Sequence, residues 1–273
     1  MKVEHKEFFI QSNDVNLFAV KDIVEKPKAI VIIVHGLCEH CGRYDYVVSK
    51  LNLSGYSVYR FDNRGHGKSE GERTYIDSFQ QYIDDMDTIV HLVKKENPAS
   101  DVFTLGHSMG GFINASYGIQ YKDVLKGQIL SGAAVMVLPD LKGVLNLDYK
   151  ANAMNRIPNS LSEKISRDSK VVKAYQDDPL VLKDFTMMLM GEVFLRGGQW
   201  IEENRATYDY PCLILHGGND QIVTPEASKT FYDAIASRDK TIKIYDRLYH
   251  EIMNEPEKDT VIGDILQWLN AHI

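Results

Sequence analysis

Short apolar segments alternate with helical patterns along most of the chain, and this alternation restricts the fold more than any other feature. The segments lie at residues 29–35, 57–62, 102–106, 127–131, 211–216 and 241–245. Runs of this length and composition are typical of strands that are buried on both faces. Because helical patterns separate most of them, the sequence predicts an α/β fold with a mostly parallel central sheet.

The N-terminal region has a different pattern. Residues 7–11 and 15–20 alternate in polarity on either side of a polar tripeptide at 12–14. Such a tripeptide favours a tight turn, so we expect an antiparallel hairpin at the edge of the sheet.

Helices are predicted between the apolar segments. The clearest begins near Asp77, where Gln80 three residues later completes the pattern of a capping box, and it ends before Pro98. Further helices are predicted at residues 111–121, 224–236 and 258–272.

The alternation stops after residue 131 and returns near residue 201. The sequence between them is irregular, mainly helical in pattern, and contains five of the nine methionines. We therefore divide the chain into a core at residues 1–131, a helical cap or lid at 132–200 and the rest of the core at 201–273. Methionine fits irregular apolar surfaces, so these residues either line a pocket under the lid or pack its helices.

Charge and composition exclude several classes of protein. A formal net charge of −7 over 273 residues disfavours nucleic-acid binding and fits a neutral small-molecule substrate better. Residues 1–7 lack the apolar continuation of a signal peptide, and the longest apolar run, residues 29–34, is too short to span a bilayer. Three cysteines give no disulfide framework. We therefore expect a cytoplasmic protein.

Cys38 and Cys41 form a C-x-x-C pair. Such a pair occurs in redox sites and as half of a zinc site, but no second ligand pair follows at a suitable spacing. We interpret both residues as loop thiols.

The strongest chemical signal is the segment GHSMG at residues 106–110, which follows a predicted strand and precedes a predicted helix. In G-x-S-x-G sites the serine occupies a cramped strand-to-helix turn, and the helix N-terminus faces the negative charge that develops during reaction. This context predicts Ser108 as a nucleophile. The alternative is a glycine-rich turn with an incidental serine.

A serine nucleophile requires a base and an acid, and both follow in the chain order that this motif demands. Asp220 lies in the loop after the strand at 211–216, and His250 lies in the loop after the strand at 241–245. We predict that His250 is the base and that Asp220 orients it, with the backbone N–H groups of Leu37 and Met109 as oxyanion donors. The triad supplies base and nucleophile, so neither metal nor cofactor is implied.

Four segments together resemble the monoacylglycerol lipase and lysophospholipase family of α/β-hydrolases. They are HGLCEHCGRY at 35–44, DNRGHG at 62–67, GHSMGG at 106–111 and YHE at 249–251. The resemblance implies the α/β-hydrolase fold, the same triad and oxyanion donors, and a monoacyl lipid as substrate. It places Glu39, Arg43 and His107 near the glycerol end of that substrate, and it implies a lid that contacts a membrane surface or a second copy of the chain.

Several alternatives remain open at this point. Lysophospholipids, aryl esters such as feruloyl esters, and thioesters use the same triad. A peptidase is less favoured, because no obvious pair of acidic residues would hold a substrate ammonium. A non-catalytic α/β-hydrolase that serves as a binding module is the alternative from another class, although such modules typically lack a triad member.

Overall fold

The computed structural model describes residues 2–138, 141, 143 and 148–273. The strands are β1 (Val3–Ser12), β2 (Val15–Val24), β3 (Ile30–Val34), β4 (Ser57–Phe61), β5 (Val102–His107), β6 (Gly127–Ser131), β7 (Arg156–Pro158), β8 (Asp184–Thr186), β9 (Cys212–Gly217) and β10 (Lys240–Tyr245).

The helices are α1 (Asp45–Leu53), α2 (Gln80–Glu96), α3 (Met109–Gln120), α4 (Ser162–Ile165), α5 (Ser169–Asp177), α6 (Met187–Leu189), a π-helical segment (Met190–Gly197), α7 (Gly198–Asn204), α8 (Pro225–Ala234) and α9 (Lys258–Ala271). Short 3₁₀ turns lie at Cys41–Tyr44, Arg205–Thr207 and Ile252–Asn254. Within the described ranges, no helix has both the length and the hydropathy of a bilayer span.

The main sheet has the strand order β1-β2-β4-β3-β5-β6-β9-β10. The strands from β4 to β10 run parallel, whereas β1 and β2 form an antiparallel hairpin at one edge. The hairpin turn is made by Asn13 and Asp14, and Asn13 adopts a positive φ of 50°. The predicted mostly parallel sheet with an N-terminal antiparallel hairpin is confirmed.

Both faces of the sheet are covered, which explains why its strands are apolar throughout. In β3, Ile30, Ile32 and Val34 pack into one core cluster, and Val31 and Ile33 pack into the cluster on the opposite face. Helices α2, α3 and α8 contribute to the first cluster, and α1 and α9 contribute to the second. The result is a three-layer arrangement in which the parallel strands present their carboxyl ends at one edge.

Helix α2 begins three residues later than predicted. Gln81, not Gln80, reaches back to accept the N–H of Asp77 at 2.8 Å. The side chain of Gln80 instead donates to Asp84 and to Gln120 of α3, each at 2.9 Å. The expected capping box at Asp77 was therefore wrong, because contact with a neighbouring helix determines the orientation of Gln80.

The segment predicted as a helical lid, 132–200, is not purely helical. It contains a separate two-stranded antiparallel sheet of β7 and β8 and the π-helical segment. Part of the predicted lid, namely residues 139–140, 142 and 144–147, lies outside the described residues. Neither the boundaries nor a lid function is established by this architecture, and both stay predictions.

All three cysteines are free and buried; Cys38 lies in the loop after β3, and Cys41 begins the 3₁₀ turn that follows it. Cys38 packs in the larger core cluster, whereas Cys41 packs against Phe18 and Val20. Burial raises the pKa of both thiols. Among the described residues, no three His, Cys, Asp or Glu side chains are grouped closely enough to hold a metal ion.

Candidate active site

Ser108 occupies the turn between β5 and α3. Its backbone has φ 55° and ψ −115°, a conformation that residues other than glycine rarely adopt. The turn also requires the flanking glycines: a Cβ on Gly106 would lie 2.3 Å from the carbonyl oxygen of Gly110, and one on Gly110 would lie 2.1 Å from that of Val34. The strained turn therefore lifts Ser108 to the carboxyl edge of the sheet, as G-x-S-x-G sites require.

Asp220 and His250 meet at the same edge, in the loops after β9 and β10. His250 Nδ1 lies 2.6 Å from Asp220 Oδ2 and carries the proton of this hydrogen bond, because an ionised carboxylate only accepts. The other oxygen, Asp220 Oδ1, accepts the backbone N–H groups of Ile222 at 2.8 Å and Val223 at 3.0 Å. His216 Nε2 lies 3.1 Å from Asp220 Oδ2. The carboxylate is thus held on every side.

The surroundings shift the pKa of each member of this pair. Burial alone would raise the pKa of Asp220, but the charge of His250 and hydrogen bonds from His216 and His250 lower it. Burial alone would lower the pKa of His250, but the charge and hydrogen bond of Asp220 raise it. The pair is therefore suited to an imidazole that gains and returns a proton beside a permanent carboxylate.

Ser108 lies close to His250 but is not hydrogen-bonded to it. The N–H of Ser108 donates to Ser131 at 2.9 Å, and a Cβ on the adjacent Gly132 would lie 3.3 Å from His250 Nδ1. Although both residues are described in the structure, the Ser108 hydroxyl forms no hydrogen bond with the imidazole of His250. Catalytic hydrogen bonds are often long without substrate and shorten when it binds.

The two residues predicted to hold the oxyanion belong to segments that adjoin Ser108. Met109 is the first residue of α3, so its N–H has no acceptor within the helix. Leu37 follows β3 and lines the same cavity as Ser108. A Cβ on Gly36 would lie 3.1 Å from Ser108 Cβ, which shows how closely this loop approaches the nucleophile.

An apolar cavity of about 370 Å³ opens at Ser108. Leucine, isoleucine, valine and phenylalanine dominate its lining, which consists of Leu37, Ser108, Leu138, Leu141, Ser160, Leu161, Lys164, Phe194, Gln221, Ile222, Val223 and Thr224. None of the five methionines of the insert is in this set. Of the two alternatives, packing within the insert is the one that fits Met188 and Met190, which are buried.

Comparison with known proteins identifies the family. The family model described as serine aminopeptidase, S33, matches residues 25–257. The monoacylglycerol lipase of Mycolicibacterium smegmatis is 34% identical over 90% of both chains, and a phospholipase of Bacillus subtilis is 30% identical over 87% of this chain and 93% of its own. The crystal structure of Paleococcus ferrophilus monoacylglycerol lipase superposes over 100% of both chains with a TM-score of 0.81 and 29% identity.

The chain belongs to this family of α/β-hydrolases. Its membership confirms the predicted resemblance to the monoacylglycerol lipases and the predicted enzyme class, a serine hydrolase. The name of the family model, an aminopeptidase, differs from the names of these relatives. The shape and charge of the cavity bear on that difference.

Three residues that the resemblance placed near the substrate do not line the 370 Å³ cavity of this hydrolase. Glu39 and His107 instead border a separate cavity of about 10 Å³, which Glu251, the residue after His250, also lines. The His107 ring lies 4.6 Å from that of His250, and burial together with the charge of His250 lowers the pKa of His107 to about 4. Arg43 is buried against Glu39 and Glu251.

Glu251 was not predicted as a site residue, but the structure places it in an ion pair with Arg43 next to His250. Arg43 and Glu251 are 208 positions apart, and their hydrogen bonds are 2.5 and 2.7 Å long. The signal in the sequence was the position of Glu251 directly after His250. Its partner is visible only once the loops after β3 and β10 are brought together.

Proposed function

We propose that this hydrolase cleaves monoacylglycerols or related monoacyl lipids to a fatty acid and an alcohol, through an acyl-enzyme on Ser108. One observation carries the proposal: Ser108 lines an apolar cavity of about 370 Å³, and the His250–Asp220 pair, 2.6 Å apart, lies against the Ser131–Gly132 segment that accepts the N–H of Ser108. A polar reaction centre that borders an apolar cavity matches a substrate that joins an ester to an alkyl chain.

The geometry supports the following reaction. His250 Nε2 takes the hydroxyl proton of Ser108 as the serine oxygen attacks the ester carbonyl, and Asp220 stabilises the resulting imidazolium. The N–H groups of Leu37 and Met109 hold the oxyanion of the tetrahedral intermediate. The C–O bond to the alcohol breaks as His250 returns the proton to the leaving oxygen. Water then attacks the acyl-enzyme by the same steps and releases the fatty acid.

A lysophospholipid is the second candidate substrate, and Lys164 favours it. This exposed residue is the cation among the described lining residues of the cavity. A phosphate on the head group would gain from a nearby ammonium. The phospholipase relative supports the same candidate. Aryl esters are a weaker alternative, because a small substrate would leave much of the cavity unfilled, and thioesters are a further alternative that the same triad would accept.

Aminopeptidase activity has less support than ester hydrolysis. The described residues that line the cavity include no carboxylate to hold a substrate ammonium, and Lys164 would repel one. Three buried carboxylates lie around the site, and each is already paired: Glu39 and Glu251 with Arg43, and Asp220 with His250.

The test compares wild type with Ser108→Ala on a monoacylglycerol, a lysophosphatidylcholine, a feruloyl ester and p-nitrophenyl esters of rising chain length. We expect the monoacylglycerol and medium to long chains to have the highest kcat/KM, and Ser108→Ala to lose about 10⁶-fold in kcat while its thermal unfolding is unchanged. Normal turnover by Ser108→Ala would refute the nucleophile. Failure of wild-type Ser108 to label with a fluorophosphonate would favour a binding module.

The proposal also includes the role of the insert, the partners of the protein and its location. A lid function of the insert, its contact with a membrane surface, a homodimer and a cytoplasmic location all stay predictions. Residues of the insert, including Leu161 and Phe194, line the cavity, which supports a role for the insert in acyl binding.

A further inference from the structure

A buried cluster of charges lies directly behind the proposed triad. Glu251 follows His250, and both of its carboxylate oxygens accept from Arg43: Oε1 from Nη1 at 2.5 Å and Oε2 from Nη2 at 2.7 Å. Arg43 Nη1 also donates to Glu39 Oε2 at 2.7 Å. These side chains are 4–10% exposed. One guanidinium therefore joins two carboxylates that come from opposite ends of the chain.

The second carboxylate continues the connection to the oxyanion loop. Glu39 Oε1 accepts the backbone N–H of Gly36 at 2.6 Å and the hydroxyl of Tyr44 at 2.8 Å. Gly36 immediately precedes Leu37, the proposed oxyanion donor. A continuous path of hydrogen bonds thus runs from the residue after His250, through Arg43 and Glu39, to the residue before Leu37.

Contact with the acyl chain does not explain this cluster, since none of its three charged residues lines the 370 Å³ cavity. Stability alone is a weak explanation, because the cost of desolvating buried charges offsets much of their attraction. The bidentate pair does fix geometry, since the planar guanidinium fork matches a carboxylate in one orientation. Such rigidity matters in a site where a misplacement of 1 Å costs about 100-fold in rate.

We propose that Glu251 is a positioning residue that, through Arg43 and Glu39, fixes the oxyanion donor Leu37 relative to the base His250. The inference rests on the proposed function, because it assigns its roles to the same nucleophile, base and oxyanion donors. Its role is distinct from substrate binding, so its loss lowers kcat while KM stays nearly constant.

The experiment measures kcat and KM for Glu251→Gln, Arg43→Met and the double variant on the preferred ester. Rates are divided by the concentration of sites titrated with a fluorophosphonate, which removes unfolded protein from the comparison. The matched control is Glu96→Gln. Glu96 accepts from Lys21 at 2.7 Å and Tyr59 at 2.6 Å, but it lies at the end of α2, away from the carboxyl edge of the sheet.

We expect Glu251→Gln to lose about 10- to 100-fold in kcat with KM within about twofold of wild type. If Glu251 acts through Arg43, the double variant loses no more than the worse single variant. The double variant removes both charges of the Arg43–Glu251 pair, and the remaining Glu39 keeps its hydrogen bonds from Gly36 and Tyr44, so this variant tests the proposal where a single variant does not fold. The proposal is overturned if kcat falls no further in Glu251→Gln or in the double variant than in Glu96→Gln. It is also overturned if only KM changes, or if the kcat losses of the two single variants multiply in the double variant. Failure of wild type to turn over any ester would instead refute the proposed function.

Discussion

The conformation of Ser108 is costly, and the neighbouring residues hold it in place. Its positive φ of 55° carries a strain on the order of 1–3 kcal/mol. Three hydrogen bonds oppose that strain: the N–H of Ser108 donates to Ser131 at 2.9 Å, and its carbonyl accepts from Phe112 at 3.1 Å and from Ala134 at 3.2 Å. Strain retained at one residue between a strand and a helix supports the proposal that Ser108 has a functional role.

Asp220→Asn tests the electrostatics of the pair at the residue scale. The amide presents the wrong hydrogen-bonding partner to His250, so we expect kcat to fall by about 10⁴-fold. The direction of the pH dependence follows from the pKa of His250, which Asp220 raises above the usual value of 6.5. Because the base works only when neutral, wild-type kcat/KM declines as the pH falls through this raised pKa. In Asp220→Asn this acidic limb moves to lower pH.

The measurement is kcat/KM from pH 5 to 9 for both proteins, normalised to titrated sites. Glu251, Glu39 and His107 also influence His250 and are unchanged by the substitution. They therefore bias both profiles equally. An acidic limb at the same pH in both proteins would contradict the assignment of Asp220 as the partner of His250.

The residues differ in how far sequence could predict them. Ser108 and its glycines form a local turn, so five consecutive residues were sufficient. Asp220 and His250, which the structure brings within 2.6 Å, could be proposed as partners because each follows a recognisable strand. The pairing of Arg43 with Glu251 spans 208 positions and involves loops without a regular pattern, so nothing in the local sequence joined them.

The insert is attached to the loop that carries His250. The N–H of Glu251 donates to Ile165 of α4 at 2.7 Å, and Ser166 Oγ donates to Asn254 at 3.3 Å. Arg167 donates to Glu255 at 3.0 Å. Helix α4 therefore cannot swing away without disturbing these bonds, which makes this part of the insert a wall of the site. The strands β7 and β8 are three residues each, too short to produce a periodic pattern in the sequence.

Leu161→Trp tests whether that wall binds the acyl chain. Leu161 precedes α4 and lines the apolar cavity, so an indole there would occupy space otherwise available to the alkyl tail. Each excluded methylene loses about 0.8 kcal/mol of burial, or about fourfold in kcat/KM. We expect long-chain p-nitrophenyl esters to lose activity and the acetyl ester to keep it.

Leu53→Trp is the matched control, because Leu53 is 72% exposed at the end of α1. Its chain-length profile should equal that of wild type. An unchanged profile in Leu161→Trp would mean that the acyl chain lies elsewhere and that the cavity has another role.

At the scale of the whole molecule, the parallel sheet could be predicted because its strands are apolar on both faces. When helices connect parallel strands, only a few topologies are available to the chain. That layering brings the loops after β5, β9 and β10 to one edge.

The same layering also buries several histidines. Burial lowers the pKa of His35 and His107 to about 4 and of His66 to about 3. All three are neutral in the folded protein at pH 5 but protonated in the unfolded chain, whose histidine pKa is about 6.5.

Stability should therefore fall as pH decreases through this window. Between pH 6.5 and about 4 the unfolded state binds up to three more protons at these sites, a slope of at most about 4 kcal/mol per pH unit. Burial would raise the pKa of Glu251, but Arg43 lowers it to about 2, so the stability that Glu251 contributes is lost only as pH falls from 4.5. The histidines thus dominate the loss near pH 5.

His66→Asn isolates one of these protons. The amide nitrogen can replace His66 Nδ1 as the donor to the carbonyl of Arg64, 3.1 Å away, and it does not titrate. Urea unfolding at pH 7, 6, 5 and 4.5 should give a free energy that declines less steeply in His66→Asn than in wild type, by about 1.4 kcal/mol per pH unit near pH 5. His91→Asn, at a 74% exposed side chain, should match the wild-type slope. Equal slopes in all three proteins would mean that buried neutral histidine does not set the acid sensitivity of the fold.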